Sequence, residues 1–288
     1  MIIVRLSGGL GNQLFQYAVG RRLALIHQTE LLLDCEYYRS TPTSDTQRDY
    51  ELWRYPISAR VTAGMESLWC RLHSGKITGR LGVNWGGWRL FRERIFDFDN
   101  AVLEVGNKTY LSGYWQSNLY FEDIAQIIRS ELTPIVLPAE KDSKLMSQML
   151  KTNSVSVHFR RGDYVTQKIT ATKHGSCSLQ YYKTALAKMS SLVCDPHFFV
   201  FSDDMEWVKQ NMAFPGETTF VDHNDSKAAF QDLRLMSKCK NHVIANSSFS
   251  WWGAWLNVSK EKHVISPATW FADRRLTPTL MPEFWIRI

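Results

Sequence analysis

An α/β protein built from two Rossmann-like domains facing a cleft is the fold this sequence predicts. In the C-terminal half, short apolar runs at 154–159, 198–202, 218–221, 242–245 and 263–266 alternate with helical patterns at 179–189, 205–212, 226–239 and 249–258. Strands alternating with helices imply a parallel sheet covered on both faces. The N-terminal half opens in the same way, with a strand over 2–6, a glycine turn at 8–11 and a helix over 13–26. Ligands of such sheets bind beyond the C-terminal tips of the strands, so the chemistry is sought there.

A second N-terminal strand is expected over 31–33. Residues 37–106 are rich in Trp, Arg and Gly and have no firm periodicity, which predicts loops and short helices. A short strand follows at 110–112 and a helix at 120–132, and Pro134 and Pro138 bracket a linker. The expected domains are therefore 1–150 and 151–288, with the final segment a candidate to pack back on the first.

Composition narrows the function classes. The 288 residues are 44% hydrophobic and 22% charged, which suits a soluble protein with a full core. The net charge of +6 is uneven: residues 1–150 carry 17 Lys+Arg against 16 Asp+Glu, and residues 151–288 carry 17 against 12. With no run of five like charges, a nucleic-acid partner is not expected, whereas a small anionic ligand in the C-terminal half is. The five cysteines lie far apart without metal-ligand spacing, which predicts reduced thiols and a cytoplasmic protein. No 18-residue apolar run predicts a membrane span.

Three strand tips carry the polar clusters. The first ends in His158, Phe159, Arg160, Arg161, Gly162, Asp163 and Tyr164. Alternation puts His158 and Arg160 on one face of the strand and Phe159 on the other. Paired arginines at a strand end suit a diphosphate. Asp163 either orients an arginine, accepts from a sugar hydroxyl, or forms a structural ion pair with Arg161. Arg161-Gly162-Asp163 also spells an adhesion motif, discounted for want of a secreted, exposed loop. The second cluster is Asp203 and Asp204. The pair could hold a divalent ion, yet Asp204 is a natural helix N-cap and Asp203 could contact a ribose or a base.

The third cluster is the run 246–256, with Asn246, Ser247, Ser248, Phe249 and Ser250 followed by Trp251, Trp252 and Trp255. It reads as strand, polar turn and helix. Such a turn is either an ordinary capped helix over a tryptophan core or a phosphate site built from hydroxyls and the first helical amides. Its convergence with the other two tips favours a nucleotide-diphosphate site, in which the tryptophans pack and the serines make the contacts. Residues 222–225 (Asp-His-Asn-Asp) are expected to add polar contacts at the same edge. In the N-terminal half, Gly8-Gly9-Leu10-Gly11-Asn12 fails the dinucleotide pattern because Leu14 stands at its third glycine position, and without a lysine it is no P-loop. Asn12 reads first as a helix cap.

The glycine motif of residues 8–18, the segment Gly113-Tyr114-Trp115-Gln116-Ser117, the run 158–164, the run 201–204 and the run 246–256 fall in the order found in the α-1,2-fucosyltransferases of bacterial and animal blood-group H type, glycosyltransferase family 11. The chain resembles that family nearly end to end. Animal members carry an N-terminal membrane anchor, and a bacterial form is expected here. The resemblance implies a GT-B fold, with GDP-fucose on the C-terminal half and a galactose-terminated glycan on the N-terminal half. It implies inverting transfer of L-fucose to the 2-hydroxyl of that galactose, without metal or other cofactor. Peripheral association with glycolipid acceptors is compatible with this.

By the same comparison, Arg160 binds the β-phosphate and neutralises the leaving GDP. Arg161, His158, Asn246, Ser247, Ser248, Phe249 and Ser250 support or contact the donor, and Asp203 contacts ribose or guanine. Gly9, Gly11, Asn12, Trp115 and Gln116 lie on the acceptor side, with Asn12 near the fucose. The base stays open. Distant fucosyltransferases place a glutamate after the HxRR motif, whereas Val165-Thr166-Gln167-Lys168 stands here. Asp163 is one candidate; a dissociative path without a dedicated base is the other. Two rival readings are another nucleotide-sugar transferase on the same fold and a non-enzymatic, tryptophan-rich glycan-binding module.

Overall fold

A computed structural model describes residues 1–39, 47–74, 87–161, 176–273 and 277–288. The apolar opening forms strand β1 (Ile2–Arg5), whose continuous burial marks a strand covered on both faces. It pairs in parallel with β2 (Leu31–Asp34) and β5 (Thr109–Ser112). With β3 (Arg60–Val61) and β4 (Arg89–Arg92) they make a five-stranded parallel sheet of order β3-β2-β1-β5-β4. Helix α1 (Leu10–Ile26) begins before the predicted residue 13, because Gly9 rather than Asn12 takes the cap position. Asn12 lies inside the first turn and is not the cap.

The irregular stretch holds α2 (Glu36–Arg39), α3 (Gly64–Ser74) and the strands β3 and β4. Both strands were invisible in the sequence. They lie at the sheet edges, and β4 (Arg-Leu-Phe-Arg) exposes its terminal arginines, so it carries no apolar run. Helix α4 (Ala125–Glu131) closes this part of the chain.

Helix α5 (Glu140–Lys151) leads into β6 (Asn153–Phe159), followed by β7 (Pro196–Ser202), β8 (Thr218–Val221), β9 (Asn241–Val243), β10 (Val264–Ser266) and β11 (Ile286–Arg287). All pairings are parallel, in the order β11-β10-β9-β6-β7-β8. Numbered from β6, this is the 3-2-1-4-5-6 order of a Rossmann sheet. The intervening helices are α6 (Leu179–Leu192), α7 (Met205–Asn211), α8 (Ala229–Lys238) and α9 (Ser248–Leu256).

Alternation sorts the β6 side chains. Val155, Val157 and Phe159 pack with Leu186 and Met189 of α6 and Val208 of α7, and the Phe159 ring stacks on Tyr182 at 4.0 Å. The other face carries small polar groups that find buried partners: Ser154 Oγ donates to Met149 O, and Ser156 Oγ lies 2.8 Å from His242 Nδ1. On that side of the sheet Phe199 and Phe201 of β7 join Met149 of α5 and Leu235 and Met236 of α8.

The chain divides into one unit of Met1–Ile135 with Thr277–Pro282 and another of Val136–Leu276 with Glu283–Ile288. The division falls before residue 150 because α5 belongs to the core of the second sheet. Thr277–Pro282 joins the first unit through Thr279, whose hydroxyl donates to Asp97 and whose carbonyl accepts from Ser117 Oγ at 2.6 Å. No helix among the described residues is long and apolar enough to cross a membrane.

Candidate active site

In the second sheet the strand order reverses between β6 and β9, and a ligand crevice opens at the carboxyl ends of such a pair. Arg160 and Arg161 follow β6 directly, and the 246–250 turn follows β9. Both predicted phosphate elements therefore flank one switch point. Asp203 and Asp204 follow β7, the next strand.

Both carboxylates are spent on the arginines. Arg160 Nη1 lies 2.8 Å from Asp203 Oδ2. The other Asp203 oxygen, Oδ1, accepts from the Arg161 backbone N–H at 2.8 Å. Asp203 thus ties the guanidinium and the backbone of the same loop together. Arg161 Nε lies 3.3 Å from Asp204 Oδ2, and its guanidinium covers the Trp207 ring at 3.4 Å from the centroid. Asp204 also caps α7 by accepting from Trp207 N at 3.3 Å. The cap reading of Asp204 holds, and its second oxygen orients Arg161. Among the described residues, no three of His, Cys, Asp and Glu gather closely enough to hold a metal ion. Asp163 lies outside the described residues, so its ion pair with Arg161 and its role as a base are not on view.

His158 sits one residue inside the strand end, 6% exposed, with its ring 5.7 Å from that of Phe249. Burial pushes its pKa down to about 4, with Asp203 opposing and Arg160 adding to the fall. It is a neutral imidazole at ordinary pH, and its buried Nδ1 has no hydrogen-bond partner among the described residues.

The turn before α9 resolves residue by residue. Ser247 is the N-cap, its Oγ accepting from Phe249 N. Ser250 is 1% exposed and points its hydroxyl to the Ser247 and Ala245 carbonyls. Asn246 is buried, donates from Nδ2 to Trp270 O at 3.2 Å and accepts from Cys177 Sγ. The side-chain bonds of these three therefore shape the turn from within. Ser248 and Phe249 are the partly exposed members. The tryptophans behave as packing: Trp251 and Trp252 are fully buried, and Trp251 lies 5.6 Å from Trp285.

Residues 222–225 serve a different purpose from that expected. His223 Nε2 lies 2.7 Å from Asp142 Oδ1, and Asn224 Nδ2 donates to Asp232 Oδ1 at 2.8 Å. These two residues join α5 to α8 through the buried Asp142 and the partly buried Asp232. Burial pushes the Asp232 pKa up to about 7; Asn224 opposes the rise and Asp142 adds to it.

The first sheet has its own switch point, between β1 and β5. Gly8, Gly9, Gly11 and Asn12 follow β1; Gly113 to Gln116 follow β5. The structure brings the two motifs together: Gln116 Nε2 donates to Asn12 Oδ1 at 2.8 Å, and Gln16 Nε2 donates to Gly113 O at 3.0 Å. Gly8 is left-handed (φ 76°), and a Cβ there would stand 2.5 Å from Asn12 Nδ2, so glycine is required for the amide to lie where it does. Trp115 is not a surface platform. It is 0% exposed, packed between Phe91 and Tyr120, with its backbone left-handed (φ 56°). Tyr114 is the exposed aromatic of the turn, at 37%.

Sequence reasoning missed Glu93. It follows the unrecognised edge strand β4 and accepts from Tyr114 N at 2.8 Å and Trp115 N at 2.9 Å. Recognising β4 as a strand would have placed Glu93 at a tip beside β5.

Residues 89–288 match the sequence family described as glycosyl transferase family 11. An Escherichia coli protein named O-antigen biosynthesis glycosyltransferase WbnK is 32% identical over 98% of this chain and 99% of its own length. An E. coli alpha-1,2-colitosyltransferase is 30% identical over 100% and 99%. The human galactoside alpha-(1,2)-fucosyltransferase 1 is 27% identical over 51% of this chain and 42% of its own. Among solved structures, a NodZ alpha-1,6-fucosyltransferase soaked with GDP-fucose overlaps 88% of this chain and 91% of its own at 14% identity, with a TM-score of 0.49.

Proposed function

Since the chain belongs to glycosyl transferase family 11, we propose that this glycosyltransferase moves L-fucose from GDP-β-L-fucose to the 2-hydroxyl of a terminal galactose, with inversion. The observation that carries the reading is the Arg160–Asp203 pair at the β6–β9 switch point. A carboxylate at 2.8 Å orients the guanidinium, which pre-places it for a diphosphate. The glycosidic bond between fucose C1 and the β-phosphate oxygen breaks, and negative charge grows on that oxygen. A fixed cation there favours the transition state over the ground state. Arg161 and the N-terminus of α9 add positive potential on the same side. These groups supply the charge that a divalent ion would otherwise bring, so the transfer is read as needing no metal.

The acceptor oxygen attacks C1 from the face opposite GDP, and its proton leaves as the new bond forms. Asp163 receives it, or, on a strongly dissociative path without a dedicated base, water or a phosphate oxygen takes it late. Asn12, fixed by Gln116, is read as an acceptor-side contact.

The test is incubation with GDP-fucose and a panel of β-galactosides, with and without EDTA, followed by linkage determination. An α-1,2-fucosylated product that resists EDTA supports the reading. Intact donor with every acceptor overturns it. A second reading has support in the colitosyltransferase relative: the donor sugar is colitose, which lacks the 3-hydroxyl of fucose. Competition between the two GDP-sugars decides between them.

A further inference from the structure

Five observations in the first unit converge on the β1–β5 switch point. Both Glu93 oxygens are engaged by consecutive backbone amides, those of Tyr114 and Trp115. A Cβ on Gly113 would stand 2.4 Å from Glu93 Cβ and 2.9 Å from the Trp115 ring, so the turn closes tightly on the carboxylate. Trp115 is held in a left-handed conformation that a bulky residue adopts only when its surroundings impose it. The buried Trp115 ring anchors the turn from below, which leaves Tyr114 outward at 37% exposure, two residues from the Gln116 that bonds Asn12. Tyr38 joins the same place, its hydroxyl donating to Gly8 O at 3.1 Å.

We propose that Tyr114, with the Gln116 and Asn12 amides, forms the subsite for the acceptor's terminal hexose, and that Glu93 is its positioning residue. An exposed tyrosine ring offers a flat apolar face to the C–H side of a pyranose, and side-chain amides match its hydroxyls as donors and acceptors. Glu93 is not the base of the reaction, since its two oxygens hold the turn. Burial raises the pKa of its carboxyl, and the two amide bonds oppose that rise.

The subsite rests on the transferase reading, and the test separates the two. Two rates and one affinity are measured on the full chain: transfer to lactose, donor hydrolysis without acceptor, and GDP binding by calorimetry. Tyr114→Ala raises the lactose KM about tenfold, while GDP affinity and donor hydrolysis stay at the parent level. Tyr114→Phe restores the KM. Glu93→Gln has one acceptor oxygen and an NH2 facing an amide N–H, so it raises the same KM roughly fivefold without altering the shape of the kcat–pH profile. A lactose KM within about twofold of the parent in Tyr114→Ala overturns the subsite. Loss of the alkaline or acid limb of the pH profile in Glu93→Gln overturns the positioning role. If no GDP-sugar is consumed, the transferase reading falls and the subsite is read by saturation-transfer NMR with methyl β-galactoside. A signal lost in Tyr114→Ala supports it, and one kept by that variant refutes it.

Discussion

Asp203 holds Arg160 by a 2.8 Å ion pair and, through its other oxygen, the backbone N–H of Arg161. One carboxylate therefore sets both the direction of a guanidinium and the path of the loop that bears it. The pair is partly exposed, at 21% and 24%, so its value lies in geometry more than in stability.

Arg160→Ala is expected to lower kcat by roughly 10²–10³ through loss of leaving-group stabilisation. Asp203→Asn keeps an acceptor for Arg161 N–H but loses the charge pairing, and a loss of about tenfold to a hundredfold is expected. Steady-state kinetics with GDP-fucose check both. Near-normal turnover in Arg160→Ala would remove the central assignment.

His158 makes the fold sensitive to acid. Its pKa of about 4 in the folded protein lies below the ordinary 6.5. The unfolded chain therefore binds more protons between those values. The stabilisation is complete above pH 6.5 and is lost as pH falls toward 4. Between pH 7 and pH 5 this group alone should remove roughly 2 kcal/mol. Urea unfolding at the two pH values measures the loss, and the pH dependence should be shallower in His158→Gln.

The serines of the α9 turn should separate by readout. Ser247→Ala removes the N-cap and should cost about 1 kcal/mol of stability. Ser248→Ala alters the partly exposed hydroxyl and should weaken GDP binding severalfold, about 1 kcal/mol, with the melting temperature little changed. Calorimetry with GDP, paired with thermal melts, distinguishes them. Equal effects of both variants on both readouts would contradict the assignment.

Gly8→Ala should cripple transfer while sparing GDP affinity. Glycine's left-handed backbone (φ 76°) and the 2.5 Å approach of Asn12 Nδ2 leave no room for a methyl group. The conformation alone costs an alanine about 1–2 kcal/mol, and the Asn12 amide must move as well. Transfer assays against GDP calorimetry test it; a transfer rate near the parent's would show that the Asn12 amide need not stay in place.

Much of the candidate site could be read from strand tips. His158, Arg160, Asp203 and the 246–250 run each end an apolar strand, and strand ends in a parallel sheet converge. What side chains do at those tips was less legible. Asn246, Ser247 and Ser250 share polar character with Ser248, yet three of them turn inward, because the backbone carbonyls and amides of a sharp turn need partners of their own. Which aromatic of the 113–116 turn faces out was equally hidden: Trp115 has a left-handed backbone and is buried while Tyr114 is exposed, and no periodicity signals that.

The sequence by itself determined the alternation of strand and helix, the family and the strand tips at which polar residues collect. Those are properties of local pattern, in which apolar runs, turns and caps announce themselves residue by residue. Only the tertiary structure decided that Asp203 serves Arg160, that His223 and Asn224 bridge Asp142 of α5 and Asp232 of α8, and that Glu93 clamps the turn bearing Tyr114. Each joins residues distant in the chain. Such pairings follow from strand order, and the order reverses at β6–β9 and β1–β5 without any mark in the linear chain.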